Sequence, residues 1–278
     1  MRCGFIGYGN MGSAVVNALL HDGSLKECEV KVYNRTAGRL DGLRSEFPGV
    51  SIAASMGEAV QGVDAAFICV HSPIVPQVLA EVRESLVRGV HLITINGGVW
   101  INDLEAEYGG PVSKVIPSVT IETGRGFTLI SHGRKVSTAQ ANALESLFSR
   151  SSRVKVLPED QFGICTDLTS CGPGLLAMMM DQLAASGARS GSIDPREAMD
   201  MVAETMLGTA LVLADRGRSP AMLVERVATR GGITEQGLRV LESELPGTFD
   251  RMFAATRRKR AEVTRPIADT DSDEGKRL

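Results

Sequence analysis

Hydrophobic residues in the first 156 positions of the chain form short continuous runs that are bounded by glycine and polar residues. These runs lie at residues 2–6, 29–33, 65–70, 91–95, 112–116, 126–130 and 153–156. A strand that is apolar on both faces is typical of a parallel sheet with helices on both sides. Apolar residues at helical spacing, at 13–20 and 138–150, predict helices between the strands. The pattern therefore predicts an α/β fold with a doubly wound, mostly parallel sheet.

The alternation of strands and helices stops near Pro158, and the rest of the chain shows only helical patterns. Residues 175–188 are apolar almost all round, which predicts a helix that is buried on most sides. Pro195 stands in the first turn after the cap residue Asp194 and begins a helix that is predicted to reach residue 216. Shorter helices are predicted at residues 220–229, 234–244 and 247–262.

These patterns divide the chain into three parts. Residues 1–158 are predicted to form the α/β domain, and residues 159–262 are predicted to form an all-helical domain. Residues 263–278 contain several acidic residues and few apolar ones, which is a composition typical of a disordered tail.

A glycine-rich turn follows the first strand and leads directly into the first helix. Its residues Gly7, Gly9 and Gly12 have the spacing G-x-G-x-x-G of dinucleotide-binding loops. In such loops the first glycine allows a tight turn, the second lets a pyrophosphate approach the backbone, and the third lets the helix pack on the strand. The start of the helix, with Asn10 and Met11, offers amide groups and a positive dipole end to phosphate. We predict a Rossmann-type dinucleotide-binding domain, and the alternative is an ordinary glycine-rich turn.

The end of the second strand indicates which dinucleotide binds. NAD-preferring sites carry an acidic residue there, which holds the ribose 2′-hydroxyl. This chain has Asn34, Arg35 and Thr36 instead, a cation between two hydrogen-bonding side chains, which suits a 2′-phosphate. The sequence therefore predicts NADPH as the cofactor in preference to NADH. The alternative is that Arg35 is a solvated surface residue.

Two later strands are expected to complete the cofactor cleft, because ligands of such sheets bind outside the carboxyl ends of the strands. Val70 and His71 lie at the end of one strand, and Asn96 and Gly97 lie at the end of the next. We predict that these residues contact the cofactor, with Asn96 near its ribose or nicotinamide. A simple strand-to-loop turn is the alternative for Asn96, and His71 is a minor candidate for a general acid.

Composition argues against several other classes of protein. The formal net charge is −3, so no basic surface attracts nucleic acid. No apolar stretch reaches the ~20 residues that a membrane span needs, and the first strand begins too early to leave room for a signal peptide. The five cysteines form no C-x-x-C pair, and the four histidines are widely spaced. We expect a cytoplasmic protein without a metal site, a membrane segment or a nucleic-acid partner.

Several short segments resemble those of pyrroline-5-carboxylate reductases. They are the opening glycine loop at 4–12, the turn at 34–36, the strand and proline at 115–118, the small-residue turn at 169–173 and the glycine-threonine loop at 226–234. The last two are more specific than the glycine loop, and their order and separation also match. The chain resembles this family along nearly its whole length, from residue 2 to about residue 262.

The resemblance implies reduction of the cyclic imine 1-pyrroline-5-carboxylate to L-proline by hydride from NAD(P)H. It also implies that two chains interlock through the all-helical domain, as a homodimer or a higher homo-oligomer. The residues that match the family's substrate pocket are Ser170, Cys171, Gly172, Gly231, Gly232 and Thr234.

The chemistry of an imine reductase fits the late loop. A protonated imine is already an electrophile, so the protein must chiefly hold its carbon next to the hydride donor. A substrate carboxylate needs N–H donors, and a glycine-rich turn before a helix provides them. Thr234 can add its hydroxyl to the carboxylate or to the imine nitrogen, and it is our candidate catalytic residue. Its alternative role is a plain helix cap.

Other positions depart from the family pattern. His71 replaces a usual lysine, Ser118 begins a segment that is usually Asn-Thr-Pro, and Ile233 replaces the first threonine of the late loop. In this respect the chain is similar to a divergent branch, the reductase-like protein encoded with bacterial late-competence genes. A cofactor-binding protein without turnover, with a regulatory or competence-related role, is therefore an alternative.

A β-hydroxyacid dehydrogenase-like enzyme is less compatible with the sequence. Its chemistry needs a lysine base, and after Pro158 the chain has only Lys259 and Lys276, both near its end.

Overall fold

The computed structural model describes residues 1–87, 89–215 and 217–263. The predicted disordered tail lies outside these residues from position 264 onward, and so does the predicted end of the helix that begins at Pro195.

The chain forms two compact units. One consists of Met1–Cys171 together with residues 257–263, and we refer to it as the sheet unit. The other consists of Gly172–Thr256, and we refer to it as the helical unit. The domain limits 1–158 and 159–262 stay predictions.

Within the described residues, eight strands form one sheet in the order β3-β2-β1-β4-β5-β6-β7-β8. Their bounds are β1 (Cys3–Ile6), β2 (Val30–Tyr33), β3 (Ser51–Ile52), β4 (Ala65–Ile68), β5 (His91–Thr94), β6 (Val112–Pro117), β7 (Phe127–His132) and β8 (Arg153–Val156). Neighbouring strands are parallel except for β6 and β7. The predicted α/β fold with a mostly parallel sheet is confirmed. Only β3 is missing from the prediction, because two residues are too few to show a pattern.

The central strands β1 and β4 are buried on both faces because their residues alternate between two hydrophobic clusters. Phe5 and Phe67 belong to one cluster, where their rings stack with 4.6 Å between centroids. Ile6 and Ile68, the next residues along β1 and β4, belong to the other cluster. This arrangement explains why the strands are apolar at consecutive positions.

The helices of the sheet unit are α1 (Asn10–His21), α2 (Asp41–Glu46), α3 (Met56–Val60), α4 (Val75–Val82), α5 (Ile101–Tyr108), α6 (Thr138–Phe148) and α7 (Phe162–Thr169). The helical unit contains α8 (Gly172–Ser190), α9 (Pro195–Ala214), α10 (Pro220–Val227) and most of α11 (Ile233–Val263). The last residues of α11 belong to the sheet unit, so this helix takes part in both.

The prediction of separate helices at 234–244 and 247–262 is wrong. α11 is one helix of 31 residues with Pro246 inside it. An interior proline removes one backbone hydrogen bond and costs about 3 kcal/mol. The turns on either side keep their own hydrogen bonds, so the helix continues through the proline.

α8 is less buried in this chain than its apolar sequence predicts. Met178 is 61 % exposed and Leu183 is 59 % exposed. The prediction that this helix is buried on most sides is therefore wrong for a single chain. An apolar helix face that its own chain leaves open is typical of an interface between chains.

Candidate active site

The glycine loop joins β1 to α1 through two positions that only glycine can occupy. Gly7 has a φ of +101°, and its amide donates a hydrogen bond to the carbonyl of Tyr33 at 2.8 Å. A Cβ atom on Gly7 would lie 2.5 Å from the carbonyl oxygen of Cys69. A Cβ atom on Gly12 would lie 2.4 Å from the carbonyl oxygen of Gly7. The tight turn and the close helix therefore both depend on the absence of a side chain.

Gly9 stands at the open side of the same loop and is the cap residue of α1. No side chain of the described residues accepts a hydrogen bond from the start of this helix. The amide groups of Asn10, Met11 and Gly12 are therefore not capped, and the positive end of the helix dipole lies beside them. A Cβ atom on Gly9 would meet only Nη1 of Arg39, at 4.0 Å. This cradle of free amides and open backbone fits the pyrophosphate of a dinucleotide.

The turn after β2 is tied to the glycine loop by Asn34. Its Oδ1 accepts a hydrogen bond from the amide of Tyr8 at 2.9 Å, and its Nδ2 donates to the carbonyl of Thr36 at 2.9 Å. Asn34 therefore shapes the turn with its side chain. Arg35 is exposed beside it and has no ion-pair partner among the described residues. The structure thus brings the predicted turn next to the predicted loop.

The carboxyl ends of β4 and β5 are joined by the side chain of Asn96. Its Nδ2 donates to the carbonyl of Val70, and its Oδ1 accepts a hydrogen bond from Ser72. His71 is exposed at the start of a short 3-10 turn, and Gly97 has open space where a Cβ atom would lie. β1 pairs with β4, so these residues lie beside the glycine loop. The amide of Asn96 is used internally, so its direct contact with a cofactor stays a prediction.

The end of α11 also reaches this edge of the sheet, a contact that the sequence did not reveal. A Cβ atom on Gly98 would lie 3.2 Å from the carbonyl oxygen of Val263 and 2.5 Å from Oγ of Ser72. Residues separated by most of the chain therefore meet at the end of β5. No local pattern could have predicted this contact.

A buried ion pair lies behind the loop that follows β5. Lys114 in β6 pairs with Glu159, and both oxygens of that carboxylate accept from the amide of Ile101 at 3.1 Å. The Lys114 ammonium lies 5.5 Å from the centre of the Trp100 ring. Burial lowers the pKa of Lys114, although the Glu159 carboxylate opposes this change. The pair fixes the start of α5 and with it the end of the loop that contains Asn96.

The small-residue turn after α7 is held by two contacts. The hydroxyl of Ser170 donates to the carbonyl of Pro117 at 3.0 Å. Asp167 is buried in α7 and pairs with Arg260 near the end of α11. Burial raises the pKa of the Cys171 thiol, and the nearby Asp167 carboxylate raises it further. The roles of Ser170, Cys171 and Gly172 toward a substrate stay predictions.

The glycine-threonine loop lies in the helical unit at the start of α11. Gly231 has a φ of +74°, and its amide donates to Oε2 of Glu235 at 2.6 Å. The amide of Gly232 donates to the carbonyl of Thr229 at 2.9 Å. Both amides that the sequence assigns to a substrate carboxylate therefore have partners within the chain. Thr234 is exposed beside them, in the first turn of the helix.

Two kinds of feature are absent from the described ranges, residues 1–87, 89–215 and 217–263. No three His, Cys, Asp or Glu side chains in them come together to hold a metal ion. No helix in them is long and apolar enough to cross a bilayer.

Comparison with known sequences identifies relatives for both halves of the chain. The family model described as "Pyrroline-5-carboxylate reductase dimerisation" matches residues 159–263, and the one described as "NADP oxidoreductase coenzyme F420-dependent" matches residues 2–98. Pyrroline-5-carboxylate reductase 3 of Bacillus subtilis is 33 % identical over 267 residues, which cover 96 % of this chain and 98 % of that protein. ComE operon protein 4 of the same species is 25 % identical over 259 residues, which cover 93 % of this chain and 95 % of that protein.

Comparison with solved structures concerns the fold alone. A crystal structure of Plasmodium falciparum pyrroline carboxylate reductase with NADP bound has a TM-score of 0.85 at 21 % identity, and the match covers 95 % of this chain and 98 % of that one. The similarity in sequence to the Bacillus subtilis reductase extends over nearly the whole of both proteins. The chain belongs to the pyrroline-5-carboxylate reductase family.

Proposed function

We propose that this protein reduces 1-pyrroline-5-carboxylate to L-proline with hydride from NADPH. The observation that carries the proposal is the full-length similarity to pyrroline-5-carboxylate reductase 3 of Bacillus subtilis. The glycine loop, the turn after β2 and the late loop supply the chemical groups that this reaction needs.

The cofactor is held by the sheet unit. The uncapped amides of Asn10, Met11 and Gly12 bind the pyrophosphate, and Gly9 lets it approach the backbone. Arg35 and Thr36 bind the 2′-phosphate, which favours NADPH over NADH. The residues at the ends of β4 and β5 face the nicotinamide end, and they are Val70, His71, Asn96 and Gly97.

The substrate is a small imine that carries a carboxylate. Bound NADPH would supply a hydride to the imine carbon, and the protonated imine nitrogen would become the amine of the product. The protein needs no strong base for this step, so its residues chiefly bind and orient. The hydroxyl of Thr234 donates a hydrogen bond to the carboxylate or accepts one from the protonated imine nitrogen, and the first-turn amides of α11 bind the carboxylate. Ser170, Cys171 and Gly172 line the pocket.

The protein acts as a homodimer or a higher homo-oligomer, and its compartment is the cytoplasm. The support for the homodimer is the open apolar surface of the helical unit, in the region that the dimerisation model matches. Side chains on this surface that are about half exposed or more include Met178, Leu183, Met201, Leu211 and Val227. Burial of such side chains between two chains is strongly favourable.

The test is oxidation of NADPH by the purified full-length protein with 1-pyrroline-5-carboxylate, followed at the NADPH absorbance band. The six-membered analogue of the substrate, assayed in parallel, reports which imine is preferred. Thr234→Ala should lower kcat/KM about tenfold or more, because one hydrogen bond to a charged group is lost. Thr234→Ser, which keeps the hydroxyl, should retain most of the activity. Unchanged activity of Thr234→Ala would remove this residue from the site.

A second candidate function is cofactor binding without turnover. It is favoured by the glycine-threonine loop, because the amides of Gly231 and Gly232 already have partners in the chain. The similarity to ComE operon protein 4 is compatible with this function. Titration that shows NADPH binding, with no oxidation on either imine, would select the second candidate over the first.

A further inference from the structure

The turn after β2 contains a second arginine that lies close to the glycine loop. Arg39 belongs to the short 3-10 turn Ala37–Leu40, and its amide donates to the carbonyl of Thr36 at 3.2 Å. Leu40, the next residue, is buried in the core and anchors the turn. The turn therefore presents Arg39 toward the loop rather than leaving it on a free segment. Its Nη1 is the atom that lies 4.0 Å from the Cβ position of Gly9.

The charge of Arg39 is not neutralised within the described residues. Only some arginines of the described residues pair with a carboxylate, namely Arg2, Arg218, Arg239 and Arg260. Arg35 and Arg39 do not, although both stand on the turn that follows Tyr33. Asp41 is the acidic residue next to the turn, with Oδ2 3.8 Å from the Cβ position of Gly38. Two guanidinium groups without partners on one turn suit an anion of high charge.

The anion that belongs at the end of the second strand is the ribose 2′-phosphate. A phosphate monoester carries nearly two negative charges at pH 7 and three acceptor oxygens. A single guanidinium binds two oxygens with its fork and leaves the third to another donor. The pyrophosphate, by contrast, already has the uncapped amides of α1. We propose that Arg39 is a specificity-determining residue that binds the 2′-phosphate of NADPH together with Arg35.

This inference rests on the proposed use of NADPH, and a binding measurement tests it without turnover. Dissociation constants of NADPH and NADH are measured with the full-length protein, through the fluorescence of the reduced cofactor. The variants are Arg39→Ala, Arg35→Ala and the double variant. Arg44→Ala is the matched control, because Arg44 is also exposed and unpaired within the described chain but lies further along, in α2. Competition by 2′,5′-ADP and by 5′-AMP isolates the contribution of the 2′-phosphate.

Arg39→Ala should raise the dissociation constants of NADPH and 2′,5′-ADP by about tenfold to a hundredfold, which is the effect of losing one charged hydrogen-bonding partner. In the same variant, the dissociation constants of NADH and 5′-AMP should change by less than about threefold. Arg44→Ala should leave the dissociation constants of all four ligands unchanged. Arg39→Lys should restore part of the NADPH affinity, because the charge returns without the fork.

If Arg39→Ala weakened the binding of NADPH and NADH equally, the inference would be overturned, because Arg39 would then act at the pyrophosphate. Unchanged affinity for both cofactors would overturn it as well, and so would a wild-type protein that prefers NADH. Failure of the proposed reaction is distinguishable from these results. A protein that binds NADPH but does not oxidise it would refute the proposed reaction, while the NADPH-to-NADH comparison still decides the role of Arg39.

Discussion

His91 is the first residue of β5 and is 3 % exposed. Its imidazole is the buried end of a chain of hydrogen bonds. Its Nε2 lies 2.8 Å from Oγ of Ser113, and the same hydroxyl lies 2.8 Å from Nδ1 of His132. Nε2 of His132 then lies 3.2 Å from Oε1 of Glu145. Burial lowers the pKa of His91 to about 4, and the nearby charge of His132 contributes in the same direction. We predict that His91 makes the sheet unit sensitive to acid.

The direction follows from proton binding in the two states. The unfolded chain binds a proton at His91 as the pH falls through its ordinary pKa of 6.5, whereas the folded chain binds one only near pH 4. Between these values the unfolded state holds more protons, so the free energy of unfolding decreases as the pH falls. At about 1.36 kcal/mol per pH unit, the loss approaches about 3 kcal/mol near pH 4. Below that pH, His91 contributes no further loss.

The assay is unfolding by urea between pH 7.5 and pH 4.5, followed by the fluorescence of Trp100. This residue is the single tryptophan of the chain and lies in the sheet unit, so it reports on that unit. His91→Gln keeps a hydrogen-bonding side chain beside Ser113 but cannot bind a proton in this range. Between pH 7.5 and pH 4.5, the free energy of unfolding of the wild-type protein should decrease by about 2 to 3 kcal/mol more than that of His91→Gln. His71→Gln, at an exposed histidine without an ion pair among the described residues, is the control and should follow the wild-type curve.

The comparison concerns the slope with pH and not the stability at one pH. His91→Gln is expected to be less stable than the wild type at pH 7.5, because a packed core side chain is replaced. The reasoning is refuted if the curves of the wild type and His91→Gln run parallel from pH 7.5 to pH 4.5.

Two further predictions concern the loop and the end of the last helix. Gly12→Ala should destabilise the sheet unit by about 1–3 kcal/mol and weaken NADPH binding at least about tenfold, since its Cβ would lie 2.4 Å from a backbone oxygen. A Cβ atom at Gly42 would meet open space, so Gly42→Ala should neither destabilise the sheet unit nor weaken NADPH binding. Equal effects of Gly12→Ala and Gly42→Ala would contradict the role given to the loop. Arg260→Met should lower the free energy of unfolding in urea by about 1–3 kcal/mol, because the buried carboxylate of Asp167 loses the guanidinium of Arg260. Lys259→Met removes an exposed ion pair and should cost under about 1 kcal/mol, and a cost as large as that of Arg260→Met would contradict this account.

Much of the fold could be predicted because its signals are local. Consecutive apolar residues such as Phe5 and Ile6 face opposite sides of a sheet that is covered on both, so the run itself indicates burial. The resemblance to the family, which rests on short segments in a fixed order, is confirmed by the full-length relative. The error at Pro246 has the opposite origin. A proline weakens a helix locally, but whether the helix continues depends on the rest of the helix and its packing.

The candidate site is less predictable where it depends on residues far apart in the sequence. Asp167 and Arg260 are separated by 93 positions, and nothing around either residue indicates the other. The same holds for Lys114 in β6 and Glu159, whose carboxylate also accepts from the amide of Ile101 at the start of α5. Arg39 is a different case. Its position four residues after Arg35, on a helical turn, is a signal that the sequence does contain.

The hydrogen bonds inside the glycine-threonine loop indicate which of its groups can bind the substrate of the proposed reaction. The amide of Gly231 binds Glu235, and that of Gly232 binds a backbone carbonyl, so neither is an unmet donor. A substrate carboxylate that displaced Glu235 would exchange one charged hydrogen bond for another and gain little. The groups that can add binding energy are therefore the first-turn amides of α11 and the hydroxyl of Thr234. On the proposed function, Glu235 shapes the loop and Thr234 contacts the substrate, which is why substitution at Thr234 is the sharper test of the reaction.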